Sequence, residues 1–250
     1  MPLLEIDAVT RGYWRGANRL EVLRDVSLEV HPGELVAVYG QRSSGKTTLL
    51  KLAAGFEPPD GGRVLFDGGD LAQLTRGGLA RLHRSHIGWV ERGGPHSDEL
   101  SVRAYVALPL YRTLGPVEAE RRAVAALARV GASDCADGSW EDLSDTARAL
   151  VAIAQALVRE PRLLVVDDPT AGLGILDRER VVGLLRAAAE DGGLGVLMAV
   201  PDMPSMLHAH QVRSLSRGSL RSPAPRAAGG HDNVVELAPR SDRPSEASNR

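Results

Sequence analysis

Gly40-Gln41-Arg42-Ser43-Ser44-Gly45-Lys46-Thr47 carries the spacing G-x-x-x-x-G-K-[ST], the pattern of a loop whose backbone amides cradle phosphate groups. Lys46 is one of only two lysines in a chain with 28 arginines. Where a basic charge is merely wanted at a surface, this chain writes arginine. A lysine here points to a compact ammonium reaching the outer phosphates, where a guanidinium fork would not fit. The flanks agree. Residues 34–39 are a short apolar run rich in β-formers, and residues 47–54 have helical spacing and stop at Gly55. Strand, glycine loop and helix thus follow in the order such a loop needs. Loop amides and the helix N-terminus then converge on anionic oxygens, and the Thr47 hydroxyl can join a Mg²⁺ shell. The candidate nucleotide-binding residues are Gly40, Ser43, Ser44, Gly45, Lys46, Thr47 and Thr48.

At 250 residues with 43% hydrophobic content, the chain can bury a substantial core as one large domain or a domain with a subdomain. Its net charge is −2 and its pI about 6.4, with no basic block, so nucleic acid is not an expected partner. A single cysteine, Cys135, leaves no internal disulfide and suits a reducing cytosol. No apolar run approaches the ~18 residues needed to span a bilayer, and the N-terminus lacks a signal-peptide pattern. Any membrane role is expected to come through a partner.

Working outward from the loop, residues 3–9 and 22–30 read as two antiparallel strands joined by the polar, glycine-bearing segment 11–18. Residues 57–70 hold Pro58-Pro59-Asp60-Gly61-Gly62, a short strand at 63–66 and Asp67-Gly68-Gly69, which is turn chemistry around a small strand. Residues 71–86 have helical spacing and lead into a strand at 87–90. Helices are expected at 117–130, closing at Gly131, and at 143–158. Residues 163–168 read as a buried parallel strand, 177–189 as a helix and 195–200 as another strand. Such alternation predicts an α/β sheet covered on both faces. From residue 221 to 250 the chain is Pro-, Ser-, Ala-, Arg- and Gly-rich with little apolar content and is expected to be a disordered tail.

A phosphate loop holds Mg²⁺ better when a second strand ends in an acid that reaches the metal's water shell. Asp167 sits at that place, and Asp168 follows it. An acidic pair capping four apolar residues is costly unless it faces a cation or solvent at the strand's C-terminal edge, where ligands bind in open α/β sheets.

These features together resemble the ATP-binding subunits of ABC transporters. The likeness rests on residues 40–47, on Leu143-Ser144 ahead of residues 151–154, and on Pro161-Arg162-Leu163-Leu164-Val165-Val166-Asp167-Asp168-Pro169-Thr170-Ala171-Gly172-Leu173. Residues 23–30, Pro32-Gly33-Glu34 and residues 106–110 look like those of subunits serving lipoprotein-release, macrolide-export and cell-division permeases. The resemblance implies a P-loop NTPase core with an antiparallel β subdomain and a helical subdomain at about residues 92–155, the whole unit covering residues 1–220. It implies ATP and Mg²⁺ as cofactors, with Thr47 and Asp167 at the metal and Tyr13 stacked on adenine, Trp14 being the neighbouring candidate. It also implies two partners, an integral membrane permease and a second nucleotide-binding subunit whose ATP would meet Ser144. A cytoplasmic protein, peripheral on the inner face of the membrane, would follow.

The departures from that pattern carry as much information. The family's glutamine after the strand at 87–90 is replaced by Arg92, and its Leu-Ser-Gly-Gly-Gln signature by Leu143-Ser144-Asp145-Thr146-Ala147. The glycines of that signature let amides approach a γ-phosphate, and Asp145 brings a like charge there instead. The catalytic glutamate is Asp168, one methylene shorter; the aspartate after Leu173 is Gly174; the switch histidine before Asp202 is Pro201. Two functions fit: an ATPase in which Asp168 acts as a weak base, and a module that binds ATP to clamp a dimer with slow or absent hydrolysis. All five changes touch the γ-phosphate or the attacking water, whereas the rest of the cradle is intact, and this distribution favours binding over turnover.

Overall fold

Alternation in the phosphate-loop strand sets the layering. In Leu35-Val36-Ala37-Val38, Val36 and Val38 are buried against one apolar cluster while Leu35 and Ala37 are buried against another. Successive side chains of a strand point to opposite faces, so this sheet is covered on both. A computed structural model describes residues 1–90, 100–201, 206 and 208–221. The expected tail at 222–250, together with Arg92 and Asp202, lies outside these described residues.

The strands are β1 (Leu4–Arg15), β2 (Asn18–Val30), β3 (Leu35–Tyr39), β4 (Gly61–Phe66), β5 (Gly69–Asp70), β6 (Ile87–Val90), β7 (Leu163–Asp167), β8 (Gly195–Val200), β9 (Gln211–Ser216) and β10 (Ser219–Arg221). The helices are α1 (Lys46–Ala53), α2 (Arg76–Ser85), α3 (Val102–Ala107), α4 (Tyr111–Leu114), α5 (Pro116–Arg129), α6 (Asp145–Leu157) and α7 (Ile175–Gly192). One sheet is antiparallel, in the order β2-β1-β4-β5; the other runs β10-β9-β3-β8-β7-β6. Within the second, β9, β3, β8, β7 and β6 are parallel and β10 turns back antiparallel. β8 therefore lies between the strand that feeds the phosphate loop and the strand that ends in Asp167, so the two meet at one sheet edge without being neighbours.

The two cores follow from this arrangement. Leu49, Leu50 and Leu52 of α1 pack with Val165 of β7, Leu197 of β8 and the inner face of the antiparallel sheet. On the other side, Leu150, Val151 and Ile153 of α6 and Val181, Val182 and Leu185 of α7 pack with Leu164, Val166 and Met198. Serine and threonine set the helix starts: Thr75, Ser101 and Ser144 each accept a hydrogen bond from the backbone amide three residues on, as an N-cap does.

Several sequence boundaries move. The segment 11–18, expected as a polar connection, continues the strands: Tyr13 and Trp14 pair with Leu20 and Arg19, and the turn shrinks to Gly16-Ala17. The helical stretch 71–86 splits into a 3₁₀ turn at Leu71–Gln73, capped by Asp70, and α2, capped by Thr75. β9 and β10, with no signal in the sequence reading, join the sheet beside β3 and bring Leu215 against the phosphate loop.

Candidate functional site

β3 delivers the chain to the sheet's C-terminal edge, and residues 40–45 wrap there before α1 begins at Lys46. Two glycines are required by the space available. At Gly40 an added Cβ would collide with the Leu215 carbonyl oxygen and lie 2.6 Å from Ser44 Oγ. Gly45 has φ +102°, and a Cβ there would stand 3.0 Å from both Leu23 Cδ2 and the Val22 carbonyl oxygen, so the loop is seated tightly on β2.

Inside that loop Lys46 Nζ donates to the carbonyl oxygens of Gly40 at 2.6 Å and Gln41 at 3.0 Å. Burial lowers its pKa, and the carboxylates of Asp168 and Asp167 pull the other way. Thr47 Oγ1 donates to Asp167 Oδ2 at 2.7 Å, joining α1 to the end of β7. Ser44 Oγ is buried with no hydrogen-bond partner among the described residues, which is costly unless a ligand supplies one. Tyr39, residues 40–44 and residues 214–218 line a cleft of about 770 Å³ on this face. The features an anion would use here are the unused hydroxyl of Ser44, the Lys46 ammonium seated on the carbonyls of Gly40 and Gln41, the N-terminus of α1, and at Gly40 a wall that a single methyl group would fill. The adjoining Thr47 and Asp167 oxygens are hard donors of the type Mg²⁺ takes.

The structure gathers Gly40, Ser43, Ser44, Gly45, Lys46, Thr47, Thr48, Asp167 and Asp168 at one sheet edge. Asp168 follows β7 directly with φ +51°, and its amide donates to the Ala199 carbonyl at 2.9 Å. Tyr13 stands apart from the cleft, half-buried in the antiparallel hairpin, its hydroxyl donating to Glu57 Oε2 at 2.6 Å; Trp14 is 72% exposed. Ser144 is at the start of α6 in the helical layer, where its Oγ accepts from the Ala147 amide at 3.2 Å. The exposed Asp145 opens that helix. Gly174 is the N-cap of α7 with no side-chain cap bond, and a Cβ there would meet nothing within 4 Å. Pro201 is exposed at the end of β8. Glu57 and Asp60, which anchor the hairpin that carries Tyr13, were read in the sequence only as turn residues; nothing local marks them.

The family described as "ABC transporter" matches residues 23–171. The chain belongs to the ABC transporter family. Among its ABC relatives, the lipoprotein-releasing system ATP-binding protein LolD of Hyphomonas neptunium is 34% identical over 220 residues, covering 88% of this chain and 96% of the relative. The macrolide export ATP-binding/permease protein MacB of Sodalis glossinidius is 32% identical, and the match covers 88% of this chain but only 34% of that protein. The chain therefore spans nearly all of a LolD and about a third of a MacB. Among solved structures, the ATP-binding cassette MJ0796, a dimer in a post-hydrolysis state bound to ADP and Pi, superposes with a TM-score of 0.79 at 26% identity, covering 88% of this chain and 98% of that one. The ABC assignment agrees with the α/β P-loop architecture seen here. Among the described residues, no helix is long and apolar enough to cross a membrane.

Proposed function

We propose that this chain is the ATP-binding subunit of an ABC transporter complex that holds Mg-ATP, hydrolyses it slowly or not at all, and clamps a dimer that drives or regulates a membrane permease. In this reading residues 1–220 form the cassette, with the helical subdomain at about 92–155. Lys46 and the amides of residues 40–47 take the phosphates, Ser43, Ser44 and Thr48 supply hydroxyls, Thr47 and Asp167 hold the metal, and Tyr13 stacks on the base. Bound Mg²⁺ would supply neutralisation of phosphate charge. The permease and a second cassette are the partners, the latter offering its ATP to Ser144, and the chain sits at the cytoplasmic face of the membrane through them.

The observation that carries the reading is the contrast between the two halves of the site. Lys46 is seated on the Gly40 and Gln41 carbonyls at 2.6 and 3.0 Å, Thr47 is bonded to Asp167 at 2.7 Å, and the buried Ser44 Oγ has no hydrogen-bond partner among the described residues. Around the position of the attacking water the chain offers instead a shortened carboxylate at Asp168, a glycine at 174 and, at 201, a proline whose side chain neither donates nor accepts. A displacement of about 1 Å in a water-orienting group costs roughly 100-fold in rate. Binding and chemistry then separate: ATP closes the dimer by mass action without being consumed.

The active-ATPase reading is kept in view by Asp168, which stays an acid beside the metal residue. Steady-state phosphate release by the purified chain, alone and with its permease, decides between them. Clear Mg-ATP binding with turnover far below 1 per second is expected; a rate of about 1 per second or faster, ordinary for an enzyme, establishes the ATPase.

A further inference from the structure

Glu57 lies outside the phosphate loop, in the turn between α1 and β4, yet its carboxylate gathers donors from two other elements. The Tyr13 hydroxyl of β1 donates to it at 2.6 Å, the Arg11 guanidinium of the same strand at 3.1 Å, and the Lys51 ammonium of α1 lies at 3.6 Å. Arg11 also covers the tyrosine: its guanidinium carbon is 5.0 Å from the ring centroid. Arg11 is fixed in turn by Asp60 at 2.8 Å, which also accepts from the Gly12 amide at 2.8 Å and from Arg19 at 2.7 Å. The ring is thus pinned at its tip and backed on one face.

The placement matters because of which face of α1 it adjoins. Lys51 follows Thr48 by three residues, so the two share one stripe of the helix. The pinned tyrosine therefore stands beside the helix face that begins at the phosphate loop, at the level of the next turn. On the nucleotide reading, a nucleoside whose phosphates sit at Thr47 and Thr48 would extend along that face toward Tyr13, with Arg11 on one face of the ring.

We propose that Glu57 is a positioning residue for the nucleobase: by holding the Tyr13 hydroxyl it fixes the ring, with Arg11 behind it, as a preformed platform for a stacked adenine. This rests on the nucleotide reading above. A ring left free would have to be ordered when the base arrives, and affinity would fall by that cost; aromatic stacking depends in the same way on the ring's set.

The test compares two probes on the full chain by calorimetry, Mg-ATP and Mg-tripolyphosphate, which has the phosphates and no base. Glu57→Leu, which removes the acceptor, and Tyr13→Phe, which removes the donor and keeps the ring, are each expected to weaken ATP about three- to tenfold. Tripolyphosphate binding should be unchanged, and the double variant should lose no more than either single. Tyr13→Phe leaves the other partners of Glu57 in place, so the test survives if Glu57→Leu does not fold. Equal losses for both probes, additive losses, or unchanged ATP affinity in both variants overturn the proposal. So does a base-dependent loss found in Trp14→Ala and absent from the other two. A native chain that binds neither probe overturns the nucleotide reading itself, a result the variants cannot mimic.

Discussion

The Thr47 hydroxyl donates to Asp167 at 2.7 Å across 120 residues of sequence. This contact ties the first turn of α1 to the end of β7, with β8 between the two strands that supply them. In the proposed function these two oxygens, held together beside the phosphate loop, begin the Mg²⁺ site. Asp167→Asn keeps the shape and removes the charge. It is expected to abolish most of the Mg²⁺ enhancement of ATP binding while leaving binding in EDTA nearly as in the native chain. Titration of a fluorescent ATP analogue with and without Mg²⁺ measures both, and an undiminished Mg²⁺ effect removes Asp167 from the metal.

Lys46 spends its donors on two loop carbonyls, at 2.6 and 3.0 Å, so the ammonium is already seated in the loop. Lys46→Ala should weaken Mg-ATP at least tenfold, about 1.4 kcal/mol. Unchanged affinity in the same titration would remove the phosphate-loop assignment.

Asp168→Glu together with Pro201→His should raise steady-state phosphate release above that of the native chain. The first lengthens the carboxylate that follows β7, and the second restores an imidazole at the end of β8. Arg92, Asp145 and Gly174 stay as they are, so the gain is expected to be partial. A double variant that folds, binds ATP and releases phosphate no faster shows that the block lies at those remaining positions.

Gly174 begins α7 in an extended conformation with open space where a Cβ would stand. Nothing in the described fold therefore forbids the aspartate of the family pattern. Gly174→Asp adds a side-chain cap and a negative charge at a helix N-terminus, which stabilise by a few tenths of a kcal/mol. A slightly higher urea midpoint is expected. A marked loss of stability would show that the glycine is needed for its backbone.

The Tyr13 hydroxyl, helped by Arg11 and Lys51, holds the Glu57 carboxyl below its ordinary range. The Gly12 amide, with Arg19 and Arg11, does the same for Asp60. Each folded pKa lies below the unfolded one, so the stability these groups lend is fully present above the unfolded value, about 4. It is lost as pH falls through the folded value. Between pH 5 and pH 3 the urea midpoint of the native chain should fall more steeply than that of Glu57→Gln. Identical slopes would show that the cluster contributes nothing to acid sensitivity.

The sequence by itself determined the strand, loop and helix around residues 40–54, the buried strand ending at Asp167, both faces of the α/β sheet and the family. Glycine spacing, apolar runs and caps are read within a few residues, because local backbone geometry and the burial of a single face dictate them. The same is true of the departures at Asp145, Asp168, Gly174 and Pro201, which are matters of residue identity. Tertiary structure alone decided what meets across long separations. The short strands β9 and β10 carry little apolar content and exist because β3 offers an edge to pair with; in closing over the loop, β9 places the Leu215 carbonyl where Gly40 must have no side chain. The Glu57 carboxylate looks like one acid among turn residues until chain closure brings Tyr13, Arg11 and Lys51 to it. Nothing in a local pattern encodes such a meeting, since its geometry is fixed by the packing of separate elements rather than by the residues on either side.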